Sequence, residues 1–243
     1  MIIVGIIMSD EGCRFPPLAL LRLQSWLSPA FPTGAYSYSH GLEWALEAGH
    51  VQDRKSLVDW LEADLSYCSG RNEAIFFSEA WHRARDDDRA KLYKIAELAG
   101  AFRGSWEFAL ESSQQGAACL ATLRRVWPDS LLDWLSEILG KHHIQPTFSV
   151  VLGMRLARQG IPVSVALPAF LQSYVANLVT AGVRLIPLGQ TDGQAALAEL
   201  EEPVLAASTQ AKRATIDDLG SAAFMVDLAS MAHETQYPRL FRS

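Results

Sequence analysis

Apolar residues along this chain recur every three to four positions, which is the spacing of an amphipathic helix. From Leu57 onward, one side of such a helix carries Trp60, Leu61 and Leu65, while polar residues occupy the other side. Gly, Pro and Asp separate the periodic segments, and no segment alternates convincingly as a strand would. The pattern predicts helices at about residues 18–27, 36–48, 55–68, 72–85, 89–99, 102–126, 130–139, 147–158, 166–185, 191–201 and 217–231.

The connections between these helices are short, and the chain has neither a Pro/Gly/Ser-rich linker nor a repeat of fixed period. We therefore predict an all-α fold, a single-domain helical bundle of about ten helices. A sheet-based fold is the alternative. We expect a flexible N-terminal segment over residues 1–16, the domain over residues 17–231, and a C-terminal partner-binding tail over residues 232–243. Asp53 is the expected N-cap of helix 55–68, and Gly70 its expected stop.

Composition excludes several classes of protein. The chain has 243 residues, and its net charge of −6 argues against a nucleic-acid-binding surface. Its uninterrupted apolar runs are shorter than the roughly 20 residues that span a bilayer, and the N-terminus lacks the basic region of a signal peptide. We expect a cytoplasmic protein that binds neither nucleic acid nor membrane. Its three cysteines are expected to be reduced, with Cys68 and Cys119 buried.

The motifs of common catalytic sites are missing. The chain has no phosphate-binding loop, no dinucleotide-binding motif and no nucleophile elbow. Residues 233–237 begin like a zinc-binding HExxH helix but lack its second histidine. The acidic run 86–88 is interpreted as a turn that caps the next helix. The adjacent His142 and His143 could bind nickel or zinc weakly, but they would point about 100° apart on a helix and would need a further ligand. We predict no catalytic residue, no metal site and no cofactor.

The segment 28–47 carries the most informative local pattern. Pro29, Pro32 and Gly34 predict a rigid turn, and a helix follows closely. We interpret the polar side of that helix as a partner-binding surface anchored by Tyr36, with a solvated surface as the alternative. The residues on that side are Tyr36, His40, Glu43 and Glu47.

Two further segments present polar groups that could contact a partner. The turn 184–194 carries Gln190, Asp192 and Gln194, although a plain helix-to-helix connection also explains it. In helix 102–126, Gln115 lies near Glu111 and beside a glycine, and close core packing explains that glycine equally well.

The last predicted helix has two apolar sides, whereas an ordinary surface helix has one. The side with Ile216, Leu219, Ala222, Ala223 and Val226 would face the core. The second side predicts a subunit or partner interface, and it carries Phe224, Leu228 and Met231. The tail after it mixes aromatic, apolar and arginine residues as interface hot spots do, namely Tyr237, Arg239, Leu240, Phe241 and Arg242. A frayed terminus is the alternative for this tail.

Four segments together resemble the UreF family of urease accessory proteins. They read SPAFPTGAYSYSHGLE at 28–43, ESSQQG at 111–116, RLIPLGQTDGQ at 184–194 and DLASMAHETQYPRLFRS at 227–243, and the similarity runs from about Leu18 onward. The resemblance implies an all-α, non-enzymatic chaperone that acts in nickel insertion into urease. It implies binding to a UreD/UreH-type accessory protein, recruitment of a UreG-type GTPase, delivery of nickel to apo-urease, and a homodimer.

The resemblance also implies roles for individual residues. The family's tyrosine and small residues after the Pro-Thr-Gly turn fall on residues 34–36, 39–41 and 43, which are Gly34, Ala35, Tyr36, Ser39, His40, Gly41 and Glu43. Its C-terminal arginines in complex formation fall on Arg239 and Arg242. Pro238 departs from the family pattern, and it is expected to remove one backbone donor and to hold the tail in an extended form.

Two other functions stay open at this point. A GTPase-activating or GTPase-regulating protein would offer an Arg or Gln to another protein's active site, with Arg239, Arg242, Gln190 and Gln115 as candidates. An all-α metal-dependent enzyme would use the acidic run 86–88 together with Asp217 and Asp218.

Overall fold

Residues 16–243 are described by the computed structural model, and over this range α-helices account for all the long elements. The all-α prediction is confirmed, with twelve α-helices in place of about ten. Short 3₁₀ turns lie at Ala35–Ser37 and Ile216–Asp218. The α-helices are α1 (Pro17–Trp26), α2 (Leu42–Glu47), α3 (Arg54–Tyr67), α4 (Ser69–Arg85), α5 (Arg89–Ala101), α6 (Trp106–Val126), α7 (Ser130–Lys141), α8 (Phe148–Arg158), α9 (Val163–Leu185), α10 (Gln190–Glu199), α11 (Glu201–Ala211) and α12 (Phe224–His233).

Helices α4 and α8 form the most closely packed pair in the core. A glycine permits this approach, because a Cβ on Gly153 of α8 would lie only 2.5 Å from the backbone oxygen of Phe77 in α4. The Phe77 ring in turn stacks on Phe170 of α9, with ring centroids 4.7 Å apart. A single apolar core therefore extends from α4 through α8 to α9.

Helix α9 is long and apolar enough to cross a membrane by length and composition alone. The uninterrupted apolar runs of the sequence are too short to span a bilayer, and the run in this region contains Pro168. The helix nevertheless continues through that proline. Helices α2, α3, α4, α8, α10 and α11 pack around α9 and bury Leu167, Leu171 and Leu178. These contacts are those of the central core helix of a globular domain.

Aspartates begin several helices, as the sequence predicts for two of them. The Asp53 carboxylate accepts a hydrogen bond from Ser56 N at 2.8 Å, and Asp88 accepts one from Lys91 N at 3.0 Å. The acidic run 86–88 is therefore a capping turn, as expected. The prediction that Gly70 ends α3 is wrong: Gly70 lies in the first turn of α4, where a Cβ would approach Asp64 to 2.7 Å.

Three parts of the chain differ from the predicted helices. The helix expected at 36–48 is broken and only 42–47 is α-helical, while the helix expected at 217–231 begins at Phe224. Helix α11 was not predicted, and its Pro203 lies in the first turn, where the ring costs no hydrogen bond. Cys68 and Cys119 are buried free thiols as expected, whereas Cys13 and most of the expected flexible segment 1–16 lie outside the described residues.

Candidate functional site

The predicted turn before Tyr36 is present and holds that side chain outward. Gly34 has a left-handed backbone, with φ of 75°, and the short 3₁₀ turn follows at once. Two side chains of α9 hold the backbone of this turn: Asn177 donates to the backbone oxygen of Ala35 at 3.1 Å, and Arg184 donates to the backbone oxygen of Tyr36 at 2.8 Å. The Tyr36 side chain is left 69% exposed, so a fixed backbone presents an aromatic ring to solvent.

The polar stripe predicted on a helix 36–48 is not formed. Tyr38 is extended, and left-handed backbones at His40 and Gly41 turn the chain before α2 begins. A Cβ on Gly41 would lie 2.8 Å from the backbone nitrogen of Ser230 in α12, so this position also requires a glycine for packing. As a result His40 and Glu43 are buried, while Tyr36 and Glu47 remain at the surface.

His40 lies at the centre of a buried hydrogen-bond network, here called the His40 network. Its Nδ1 faces the Glu111 carboxylate at 3.0 Å. Its Nε2 faces the hydroxyl groups of Ser69 and Tyr174, and both of these hydroxyls donate to the carboxylate of Asp64. Because each hydroxyl proton is used by Asp64, the hydroxyl oxygens can only accept from Nε2. Both ring nitrogens therefore donate, and His40 is an imidazolium.

The charges around His40 agree with that assignment. Burial lowers the pKa of His40, but the carboxylates of Glu111, Asp64 and Glu73 raise it, and the net pKa is above the ordinary value of 6.5. The imidazolium ring also stacks on Phe108 of α6, with centroids 4.0 Å apart.

A second network, the His233 network, joins α12 to α2 and α6. His233 is fully buried, and its Nδ1 faces the Glu107 carboxylate at 2.7 Å while its Nε2 faces the Glu43 carboxylate at 3.2 Å. A carboxylate only accepts, so both ring nitrogens of His233 must donate. Burial lowers the pKa of His233, and its hydrogen bonds with Glu107 and Glu43 raise it above 6.5 on balance.

The same two glutamates hold the C-terminal segment, residues 234–243. Glu43 accepts hydrogen bonds from the backbone nitrogens of Leu240 at 2.6 Å and Phe241 at 2.8 Å. Glu107 accepts from Arg239 at 2.8 Å. One imidazolium and one guanidinium thus balance two buried carboxylates, which keeps every charge of the network partnered.

The C-terminal segment is packed onto the body, so the alternative of a frayed terminus is wrong. Phe241 is buried, and the Arg184 guanidinium lies 4.5 Å from the centre of its ring. The backbone nitrogen of Arg242 donates to the oxygen of Ser37 at 2.9 Å, and Ser243 contacts Ser39 and Glu111. The segment therefore connects the Tyr36 turn with both buried networks.

Exposed apolar side chains lie on α12, which precedes this segment, and on the segment itself. Phe224, Leu228 and Met231, here called the α12 apolar face, occupy the side of α12 opposite the buried Val226, and Phe224 is 71% exposed. Tyr237 is 93% exposed and Leu240 is also exposed. The prediction that Ile216 and Leu219 lie on the core-facing side of the last helix is wrong. Both residues precede α12, because a 3₁₀ turn and an extended stretch replace the first turns of the predicted helix.

The remaining predicted site residues lie elsewhere or are already bonded. Gln115 is buried and donates to Glu111 at 3.1 Å, while a Cβ on its neighbour Gly116 would clash with the oxygen of Pro146. Asp192 accepts from Gly189 N at 3.2 Å and faces Arg54, so it belongs to the start of α10. Gln190 is the first residue of α10 and is exposed.

A cavity of about 290 Å³ lies beside the His40 network. Its polar wall includes Glu73, Arg103 and Asp227, and aromatic rings such as Phe148 close its other side. Glu73 pairs with Arg103, and Asp227 accepts from Ser221, so these polar groups satisfy each other.

Sequence reasoning missed one carboxylate acceptor of each network. Glu107 and Asp64 were not singled out, and His233 drew notice only as an incomplete zinc motif. In residues 16–243 no group of three potential ligands is arranged to hold a metal. For His233 the reason is geometric, since its two glutamates lie on opposite sides of the ring and cannot converge on one ion.

Comparison with known proteins identifies the family. A model of the UreF family matches residues 51–201. Curated relatives, each named urease accessory protein UreF, match at nearly full length. The protein from Rhodopseudomonas palustris strain HaA2 is 47% identical over 239 residues, 98% of each chain. That from strain BisB5 is 48% identical over 226 residues, 93% of this chain and 91% of the relative. The chain belongs to the UreF family.

A relative from another genus gives the same result. The UreF protein of Bradyrhizobium diazoefficiens is 47% identical over 225 residues, 93% of this chain and 92% of the relative. The UreF family model itself excludes the Tyr36 turn and the C-terminal segment. The match to the HaA2 relative covers all but a few residues of the chain, so it extends over the turn and most of that segment.

Proposed function

We propose that this UreF-family chain acts in urease maturation as a cytoplasmic adaptor, not as an enzyme. In this role it binds a UreD/UreH-type accessory protein and recruits a UreG-type GTPase, so that nickel reaches apo-urease. Membership of a family of urease accessory proteins supports the general role. The surface around the C-terminal segment supports the adaptor mechanism.

The observation that carries this proposal is a set of large exposed apolar side chains on α12 and on the C-terminal segment, whose backbone is held by the buried glutamates Glu43 and Glu107. Phe224, Leu228 and Met231 share one side of α12, and Tyr237 and Leu240 are exposed on the segment that follows it. Exposed aromatic and apolar anchors of this kind dominate the binding energy of protein interfaces. The buried networks fix the backbone, so little conformational entropy is lost when a partner binds.

Tyr36 is proposed as a second anchor of this surface. Its backbone is tied to α9 by Asn177 and Arg184, and Arg184 also covers Phe241 of the C-terminal segment. A partner that contacts Tyr36 and the segment would therefore bind one rigid unit. Because Tyr36 is mostly exposed, Tyr36→Ala should leave folding intact and reduce partner binding.

Co-purification tests the adaptor role. The tagged full chain is co-expressed with its own urease operon, and the retained proteins are identified after affinity capture. Leu228→Ser and Tyr237→Ala should reduce recovery of the accessory protein by at least tenfold. Leu205→Ser is the matched control, because Leu205 on α11 is 50% exposed and Leu228 is 51% exposed.

Point substitutions are preferred to deletion of residues 232–243, since deletion would also remove the buried His233 and Phe241. Equal recovery by Leu228→Ser, Tyr237→Ala and the control would contradict the placement of the interface. Loss of recovery in the control alone would contradict it as well.

We also propose that the chain forms a homodimer, with the α12 apolar face as the candidate surface. An isolated apolar patch on a soluble domain favours self-association when no partner is present. Light scattering of the purified chain should give a dimer mass, and Leu228→Ser should give the monomer mass.

A role in regulating the GTPase is the second candidate function. Two of the candidate residues for this role already have partners: Arg239 donates to Glu107, and Gln115 donates to Glu111. Arg242 is exposed, and it donates a hydrogen bond to Ser37 through its backbone nitrogen. An arginine offered in this way accelerates GTP hydrolysis by roughly 10³-fold or more. Hydrolysis by the UreG-type partner should then rise with the wild-type chain and fail to rise with Arg242→Lys.

A further inference from the structure

A cluster of three arginines lies at the junction of α1, α7 and α8, away from the surface described above. Arg155 and Arg158 stand near the C-terminal end of α8, and Arg22 on α1 donates to Gln159 beside them. Asp129, the N-cap of α7, is the carboxylate that meets this cluster.

Several donors in the cluster have no acceptor among residues 16–243. The Nε–H groups of Arg22 and Arg155 are buried without a partner, and so is the indole N–H of Trp26. Arg155 is only 4% exposed, so water does not replace the missing acceptor easily. Arg22 and Trp26 are four residues apart on α1 and share one side of the helix, and the Arg155 guanidinium lies 5.2 Å from the centre of the Trp26 ring.

The cluster also has an excess of positive charge. The guanidinium groups of Arg155 and Arg158 face the carboxylate of Asp129, and Arg22 adds a third positive charge beside Gln159, which leaves a formal excess of two. Burial lowers the pKa of Arg155, and the charges of Arg22 and Arg158 lower it further against the effect of Asp129. Asp129 carries a single negative charge, so it balances only one of the three guanidinium groups, and its oxygens already accept from Leu131 N and Arg155.

Placement of arginines at the end of α8 partly follows from the helix dipole. The dipole does not explain Arg22 on a different helix, nor an indole N–H without an acceptor. An anion with several acceptor oxygens would satisfy these donors and the charge together. Arg158 is partly exposed, which leaves an approach from solvent, and the Trp26 and Trp127 rings form an apolar floor that strengthens electrostatic attraction.

We propose that Arg22, Arg155, Arg158 and the Trp26 indole form a binding site for a phosphate-class oxyanion. Inorganic phosphate is a mixture of singly and doubly charged anions near neutral pH and offers strong acceptors in several directions, which suits the excess positive charge and the donors. Arginine pairs with such groups through two parallel hydrogen bonds.

Thermal unfolding of the full chain tests this site. The midpoint is measured in increasing sodium phosphate and compared with sodium chloride at equal ionic strength and pH, since ionic strength alone changes the screening of charges. The wild-type midpoint should rise by several degrees and then level off as the site fills. Arg22→Gln and Arg158→Gln should each lose most of this rise.

Arg124→Gln is the matched control and should keep the full rise. The Arg124 side chain is as exposed as that of Arg158, and it pairs with Asp133 rather than with Asp129. An equal rise in all variants, without saturation, would show only the general stabilisation by excluded salts and would overturn the proposal. An equal, saturating rise in sodium acetate would overturn the phosphate class.

A second measurement reports on the site itself. The indole N–H resonance of Trp26, assigned with Trp26→Phe, should shift in a nitrogen–proton NMR spectrum as phosphate is added. A stationary Trp26 signal at phosphate concentrations that raise the midpoint would overturn the assignment of the site.

Discussion

Replacing Glu107 by Gln removes the carboxylate that faces both His233 and Arg239 while it keeps the size of the side chain. A hydrogen bond to a charged group contributes about 1.5–3 kcal/mol. The Arg239 side chain is 42% exposed, so solvent screening limits that ion pair to at most about 1 kcal/mol. Glu107→Gln should therefore lower the free energy of unfolding by about 2–4 kcal/mol, mostly through His233.

The loss should depend on pH in a defined direction. The folded pKa of His233 lies above its unfolded value near 6.5, so the folded state binds the extra proton. The stabilisation is fully present below pH 6.5 and is lost as the pH rises through the folded pKa, by at most about 1.4 kcal/mol per pH unit. The difference between wild type and Glu107→Gln should shrink over the same range.

Urea unfolding followed by circular dichroism, at a series of pH values from slightly acidic to alkaline, measures both effects. Glu97→Gln is the control, because Glu97 is exposed on α5 and its carboxylate accepts a hydrogen bond from the hydroxyl of Tyr93, away from both networks. His40 adds its own pH dependence, so the comparison rests on the difference between variants. A loss below about 1 kcal/mol, or a loss that grows with pH, would refute the assignment of a buried imidazolium.

Three further substitutions test the packing. Gly41→Ala should destabilise the protein by about 2–4 kcal/mol, since it forces a left-handed backbone on alanine and a clash with Ser230; an unchanged unfolding midpoint would contradict this. Gly153→Ala should cost about 1–3 kcal/mol or more by separating α8 from Phe77, measured by urea unfolding against the exposed Gly140→Ala. Phe241→Ala should accelerate amide hydrogen exchange in residues 234–243 while the core helices keep their protection, because the loss of about 3–5 kcal/mol of packing detaches the short segment first; unchanged exchange in the segment would count against it.

Much of the fold follows from local patterns. Apolar residues at helical spacing located eleven of the twelve helices at least in part, and the carboxylates of Asp53 and Asp88 fixed where α3 and α5 begin. These signals act between residues three or four positions apart, so they can be read directly from a single sequence. The exposure of Tyr36 and Phe224 follows from the same patterns, since neither lies on the apolar side that holds its segment down.

The segment 36–48 shows where local patterns stop being sufficient. Its spacing fits an unbroken helix, yet α12 approaches so closely at Ser230 that the chain must turn at His40 and Gly41. Gly41 and Ser230 are far apart in sequence, so the residues of the segment 36–48 alone cannot predict their contact. One turn then moves His40 and Glu43 from a surface stripe to the interior.

By itself the sequence determined an all-α chain, the starts of several helices and its membership of the UreF family. Only the tertiary structure decided which polar residues are buried and which residues they form hydrogen bonds and ion pairs with. His233 meets Glu107 across 126 positions and Glu43 across 190 positions of the chain. Helical propensity and capping are local properties, whereas a buried charge is stable only when the fold brings a partner to it. The C-terminal segment is held in place for that reason, and its apolar residues are presented on a fixed surface.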